Sequence, residues 1–250
     1  MVVRRLPAPA LRRAITEYHG FRLDEPPTRR HEGPGADVVL ILSFGHAWRI
    51  DGERRVSFVG GLRLDQVVTE SDGGMHGLQV SLAPWAAHML LRVPQEELAG
   101  TSVPLEALLS VDLAARIGAE ESWDARFAAL DRELGRRLEA APRPDAGVAF
   151  AWERLRATHG TARVGSLASE LGWSRKRLAA RFREQIGLTP KAAARLLRFE
   201  RARSLAGTMS WGELAFACGF ADQPHLIAEF RAFTGSTPET FLQDAAAQAA

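Results

Sequence analysis

The stretch LASELGWSRKRLAARF, residues 167–182, returns 47 positions later as LAFACGFADQPHLIAEF, beginning at Leu214. A chain that repeats such a pattern must build the same local object twice. In the first copy Leu167, Ala168 and Leu171 are spaced to line one face of a short helix that stops at Gly172, a residue able to take the positive φ of a helix C-terminus. Ser174 is placed to cap a second helix whose core face is Leu178, Phe182 and Ile186, each four residues after the last. In the second copy Ser210 and Glu213 have capping-box spacing, Leu214, Ala215 and Cys218 form the inner face, and Gly219 ends the helix. Asp222 then caps a helix with the core face Leu226, Phe230 and Phe233. Both copies close alike, on GLTP at 187–190 and GSTP at 235–238, with a Thr N-cap ahead of Pro at the first helical position. Short helix, Gly turn and second helix make a helix-turn-helix, here present twice.

The rest of the chain is different in kind. ADVVLILSF, AWRI, RRVSFVGGLRL and GMHGLQVSL are short apolar or alternating runs separated by Gly, Asp and Ser, the pattern of strands and turns. From Pro104 the period changes. Leu105, Leu108, Leu109 and Leu113 fit one helical face, and Trp123, Phe127, Leu130, Leu134 and Leu138 fit another. These leucine-rich helices either pack on the sheet or pair with a second chain, and periodicity leaves both readings open. AAPRPDAG, residues 140–147, marks a domain boundary. The expected fold class is therefore α+β: a β-rich regulatory domain over 1–103, a helical connector or dimerisation segment over 104–143, and an all-α domain with both helix-turn-helix units over 144–250.

Composition removes several function classes. The single cysteine, Cys218, excludes an internal disulfide and any thiolate cage built by this chain alone, and its place on an inner helix face reads as a small core residue. His31, His46, His76 and His88 lack metal-binding spacing, and neither metal nor cofactor is expected. No apolar run approaches the roughly 18 residues of a membrane span, and the arginine-bearing N-terminus has no signal-peptide core, so the expected location is cytoplasmic. Net charge is +2 but uneven: residues 1–150 hold 18 Lys+Arg against 21 Asp+Glu, residues 151–250 hold 14 against 9. A basic C-terminal part on an acidic N-terminal part points the former at a polyanion.

The paired motifs, the GxTP punctuation, the connecting helix PKAAARLLRFERARSLA and the phrase ACGFADQPHLIAEFRAFTGSTPETF together resemble the DNA-binding domain of the AraC/XylS family of bacterial transcription regulators, over about residues 148–243. The resemblance implies a seven-helix domain in which one linker helix holds two recognition helices on successive major grooves of double-stranded DNA. It also implies that the principal base-reading positions fall on Lys176, Ala179 and Ala180 in the first copy and on Gln223, His225 and Ala228 in the second. Geometry read independently agrees on the spacing. The linker helix, Pro190 to about Ala206, spans roughly 25 Å, the right order for major grooves about 34 Å apart. Lys191, Arg195, Arg198, Arg201 and Arg203 on its surface are available for phosphates.

On a helical wheel the face opposite Leu178 and Phe182 carries Lys176, Ala180 and Arg183, flanked by Arg177 and Ala179 and preceded by Arg175. In the second copy the corresponding face carries Pro224, Ala228 and Arg231, with His225 at its edge and Gln223 at its tip. Residues 174–186 hold Arg175, Lys176, Arg177, Arg181 and Arg183 against Glu184, whereas residues 222–234 hold only Arg231 against Asp222 and Glu229. The first helix is thus the electrostatic anchor, and the second contributes selectivity or faces a protein such as RNA polymerase. In the β-rich part Trp48, Phe58, Met75 and Trp85 are candidates to line a pocket for a small-molecule effector. Enzyme readings fare worse: DNA-repair alkyltransferases fused to such domains need an exposed reactive cysteine, and recombinases need a nucleophilic Ser or Tyr among clustered arginines. The expected function is sequence-specific transcription regulation, with a second copy of the chain as a further candidate partner.

Overall fold

The structure, a computed structural model, describes residues 1–109 and 113–249. In chain order the N-terminal part runs β1 (Val2–Arg5), β2 (Ile15–Leu23), β3 (Thr28–Glu32), β4 (Val38–Ser43), β5 (Trp48–Ile50), β6 (Glu53–Arg55), β7 (Phe58–Gly60), β8 (Val67–Ser71), β9 (Met75–Leu82), α1 (Pro84–Leu91), α2 (Gln95–Leu98), β10 (Ser102–Pro104), α3 (Leu105–Leu108), α4 (Leu113–Gly118) and α5 (Trp123–Glu139). The C-terminal part is all helix: α6 (Ala146–Ala157), α7 (Val164–Glu170), α8 (Arg175–Ile186), α9 (Pro190–Leu205), α10 (Trp211–Ala217), α11 (Gln223–Thr234) and α12 (Pro238–Ala249).

The strands form two antiparallel sheets, one ordered β1-β2-β9-β4-β7-β10 and the other β3-β8-β5-β6. Alternation along β4 shows how the larger sheet divides its side chains. Val38, Leu40 and Leu42 enter the main core with Tyr18, Leu78 and Val80. Val39 and Ile41 face the other way, toward Ile50, Phe58 and Trp48 of a separate apolar cluster. Helix α5 covers the main-core face of the sheet with Phe127, Leu130 and Leu134 buried. Tyr18 donates to Asp131 at 2.9 Å and stacks on Phe127 at 5.8 Å, and the strand can come so close only because residue 20 is glycine. A Cβ there would lie 2.5 Å from the Trp123 ring. The apolar face of α5 is therefore satisfied within the chain. The periodicity expected for Leu105 to Leu113 is not realised as one helix: α3 ends at Leu108, Leu109 is extended, and residues 110–112 lie outside the described residues.

Five strands, β10 among them, and two helices escaped the sequence reading. Strand β2 contains His19, Gly20 and Arg22 among its apolar residues, and β1, β3 and β8 are polar edge or half-covered strands. Helices α1 and α2 are short, and their buried residues are mostly alanine and leucine next to proline. They also carry the contact with the C-terminal part, a role the sequence reading gave to the helices after Pro104. Both α1 and α2 pack on α8, whereas α5 packs on α1 and α4. The close point is Gly187, at the C-terminus of α8 with φ +93°, where a Cβ would sit 2.9 Å from the Gln95 carbonyl oxygen. The buried core then runs without a break from the sheet through α1 into α6, α8 and α9.

Candidate DNA interface and the cavity between the sheets

Local chemistry builds the two helix-turn-helix units as their sequences dictate. Helix α7 buries Leu167 and Ala168 and is followed by Gly172 at φ +63°; Ser174 then caps α8 by accepting from the Arg177 amide. In the second unit Ser210 and Glu213 form a complete capping box, Gly219 takes φ +73°, and Asp222 accepts from the His225 amide at 2.8 Å. Thr189 caps α9 ahead of Pro190. Cys218 is fully buried, and burial raises its thiol pKa, as suits a core residue.

The wheel positions of α8 divide as expected between core and solvent. Leu178, Phe182 and Ile186 are fully buried against α6, where Trp152 meets Phe182 at 6.2 Å. Arg175, Lys176, Arg177, Ala180 and Arg183 are exposed and Ala179 is half-buried beside them. Two of these cations are partly engaged: Arg177 lies over the Trp173 ring at 4.5 Å, and Arg175 lies back over Gly165 of α7. On α11, Gln223, Pro224, Ala228 and Arg231 are exposed. His225 is half-buried, with Nδ1 accepting from the Ala221 amide and the ring edge-on to Phe220, so much of it is spent on the turn.

The linker helix corrects the sequence reading of its arginines. Arg195 pairs with Glu229 of α11 and covers Phe233, while Arg198 donates to the Gly160 carbonyl and covers Phe220. Burial lowers the Arg198 pKa. Both belong to the packing of α9 rather than to a phosphate-binding surface, which leaves Lys191, Arg201 and Arg203. Phe199 of α9 completes the joint, 5.0 Å from Phe230 and 4.7 Å from Phe233. The rod and the second recognition helix are thus joined by an ion pair and an aromatic cluster.

Between the two sheets lies a cavity of about 610 Å³. Trp48, Phe58 and Met75 line it, together with Phe21, His19 and Ile41, which the sequence reading missed. The signal was the alternation of β2, in which His19 and Phe21 point opposite to Tyr18 and Gly20. Trp85 is not part of this cavity; it sits on α1, packed against the main core. The rim is the loop 33–37, which also touches the helical part. The Ala36 amide donates to Glu200 of α9 at 2.8 Å, and Asp37 stands 3.8 Å from Arg156 of α6. Burial pushes the Asp37 carboxyl up to about 6, against the pull of Arg156 and with the help of Glu200. Among the described residues no His, Cys, Asp and Glu cluster could hold a metal ion, and no helix is long and apolar enough to cross a membrane.

Two helix-turn-helix units on one rod, behind a two-sheet domain that encloses a cavity, give the C-terminal part the form of a DNA-binding domain. Residues 167–244 match the model of a family described as "Helix-turn-helix domain". Among solved structures, ToxT from Vibrio cholerae O395 is similar over 90% of this chain and 96% of its own, with a TM-score of 0.51 and 11% identity. The same protein bound to (E)-4-(8-methylnaphthalen-1-yl)but-3-enoic acid gives 0.52 at 10% identity, over 90% of this chain and 98% of its own. The C-terminal domain of AraT, a response regulator from Geobacillus stearothermophilus, is similar over 41% of this chain and 88% of its own, at 19% identity and a TM-score of 0.38. No curated protein matches the chain in sequence.

Proposed function

We propose that the chain reads a specific DNA site with α8 and α11 in successive major grooves, and that a small molecule held between the sheets sets its affinity for that site. The observation that carries the DNA reading is the solvent face of α8, where Arg175, Lys176, Arg177 and Arg183 stand exposed around Ala180 with the core on the opposite side. Helix α9, about 24 Å long, joins the two units, a length of the order that two successive major grooves call for. Effector control draws on the cavity and on ToxT, one crystal structure of which has an unsaturated fatty acid bound. The route is short: loop 33–37 is both the rim of the cavity and the partner of Glu200 and Arg156. A ligand can act there only through different affinities for two arrangements of this contact.

The test is fluorescence anisotropy of the full chain on DNA fragments from upstream of its own gene, compared with Lys176→Ala/Arg183→Ala. Binding that is sequence-selective, steeply salt-dependent and lost in the variant supports the reading. Binding unaffected by the two substitutions overturns the placing of α8 in the groove.

One observation favours a further role for the second unit. Phe216, on α10, is 89% exposed, a large apolar side chain with no partner in the fold. We infer that α10 offers it to a protein such as RNA polymerase. Phe216→Ala should then keep DNA affinity and lose transcriptional output in a reconstituted reaction; unchanged output rules the contact out.

A further inference from the structure

The register of the larger sheet fixes which lining residues of the cavity stand together. His19 of β2 is directly opposite Gln79 of β9, Gln79 is opposite Ile41 of β4, and Ile41 is opposite Phe58 of β7, so the four form one row across the wall. Side chains opposed in this way stand about 5 Å apart. Phe21 lies two residues along β2 from His19 and lines the same cavity; its ring is 6.2 Å from the His19 ring and 6.0 Å from Trp48 on the facing sheet. Two polar side chains are therefore set into the middle of an apolar and aromatic wall. The chain satisfies neither. His19 Nε2 is buried with no hydrogen-bond partner. Among the described residues the one hydrogen bond of the Gln79 side chain is long, Nε2 to Ser81 Oγ at 3.4 Å, which leaves its carbonyl oxygen unused.

The charged groups of the cavity lie outside this row and are already answered. Arg30 pairs with Glu25 at 2.7 Å, and Arg63 with Asp51 at 3.1 Å and Asp65 at 3.0 Å. Glu32 is exposed, and Asp37, at the rim, has Thr16 and Arg156 as partners. Resting on the reading of this cavity as an effector site, we propose that its ligand is an uncharged aromatic alcohol or phenol, its hydroxyl held between Gln79 and His19 and its ring packed on Phe21, Trp48 and Ile41. A hydroxyl both donates and accepts, so it can accept from the Gln79 amide and donate to the unprotonated ring nitrogen of His19. Burial and the neighbouring Arg4 lower the His19 pKa, against the pull of Glu17, which keeps the ring neutral at pH 7. An ionised head in this row would lose its water and meet no opposite charge. A wholly apolar ligand would strip water from the Gln79 amide and return no hydrogen bond. The cavity volume, about 610 Å³, is large enough for more than one ring.

Four probes with one apolar body separate the readings: 1-naphthalenemethanol, 1-ethylnaphthalene, 1-naphthaleneacetate and 1-naphthylmethylammonium, each measured by equilibrium dialysis against the full chain at pH 7.5. The alcohol should bind roughly tenfold or more tightly than the hydrocarbon and than either ion. Gln79→Leu should bring the alcohol down to the level of 1-ethylnaphthalene, whose continued binding shows that the variant is folded. His19→Phe should remove part of the same advantage, and Trp48→Ala should weaken all four. If the alcohol binds no better than the hydrocarbon, and both depend on Trp48, the polar pair does not read the ligand and the effector cavity stands. An advantage of the alcohol that survives Gln79→Leu and His19→Phe also overturns the assignment. Either ion binding as tightly as the alcohol overturns the neutral ligand. If none of the four binds, both this proposal and the effector reading fall.

Discussion

Arg195 on the linker helix donates through Nε to both carboxylate oxygens of Glu229 on the second recognition helix, at 3.1 and 3.0 Å. Glu229 is only 12% exposed, so this pair fixes the angle at which α11 leaves the rod. Arg195→Ala leaves a largely buried carboxylate without its partner and should cost about 1–3 kcal/mol in urea unfolding. Replacing both residues by Met should recover most of the loss. If the double variant is as unstable as the single one, the pair is not what the substitution disturbs.

Asp37 gives the protein a stability term with a definite sign in pH. Its folded pKa, about 6, lies above its ordinary value of 3.8, so between these values the folded state binds more protons than the unfolded one. The contribution is favourable below about pH 4 and is lost as pH rises through 6. Other carboxylates act in the opposite sense, Glu133 foremost, held at about 2 by Arg137, Arg136 and Arg116. The comparison is therefore made against Asp37→Asn across pH 4–7. The variant should gain on the wild type by about 1–3 kcal/mol as pH rises through that window. A difference independent of pH contradicts the assignment.

Two glycines with similar backbones should behave differently. Gly172 at φ +63° has open space around it, so alanine there incurs only the left-handed penalty of about 1–2 kcal/mol. Gly187 at φ +93° would in addition drive a Cβ to 2.9 Å from the Gln95 carbonyl. Gly187→Ala should therefore cost more than Gly172→Ala and speed amide exchange in α2, which hydrogen-exchange mass spectrometry can read. Equal costs and an undisturbed α2 contradict the packing of α2 on α8.

On DNA, Lys176→Ala should weaken binding to all sites and lower the log–log salt slope by about 0.9 if the ammonium contacts one phosphate. Gln223→Ala should instead relax preference at one base pair by about 1–3 kcal/mol with the slope unchanged. Competition against single-base operator variants distinguishes the two. A Gln223 variant with unaltered preference removes that residue from base reading.

What the sequence determined by itself is what local forces settle. Ser174, Thr189, Ser210 and Asp222 each accept a backbone amide within three residues, and glycine at 172 and 219 admits a left-handed turn, so both helix-turn-helix units follow from short-range hydrogen bonds and a four-residue apolar period. The tertiary structure decided everything that depends on what a side chain meets far along the chain. Arg195 and Arg198 look like surface cations until Glu229, 34 residues away, and Gly160, 38 residues away, take them up. Trp48 and Trp85 are equal candidates until the pleat of one sheet turns Trp48 into the cavity and the packing of α1 turns Trp85 toward the main core. Loop 33–37 reads as a turn, and it joins the cavity to Glu200, 164 residues beyond Ala36. Periodicity encodes which face of an element is apolar. Which partner covers that face, and which charges are consumed in covering it, is decided only when the whole chain packs.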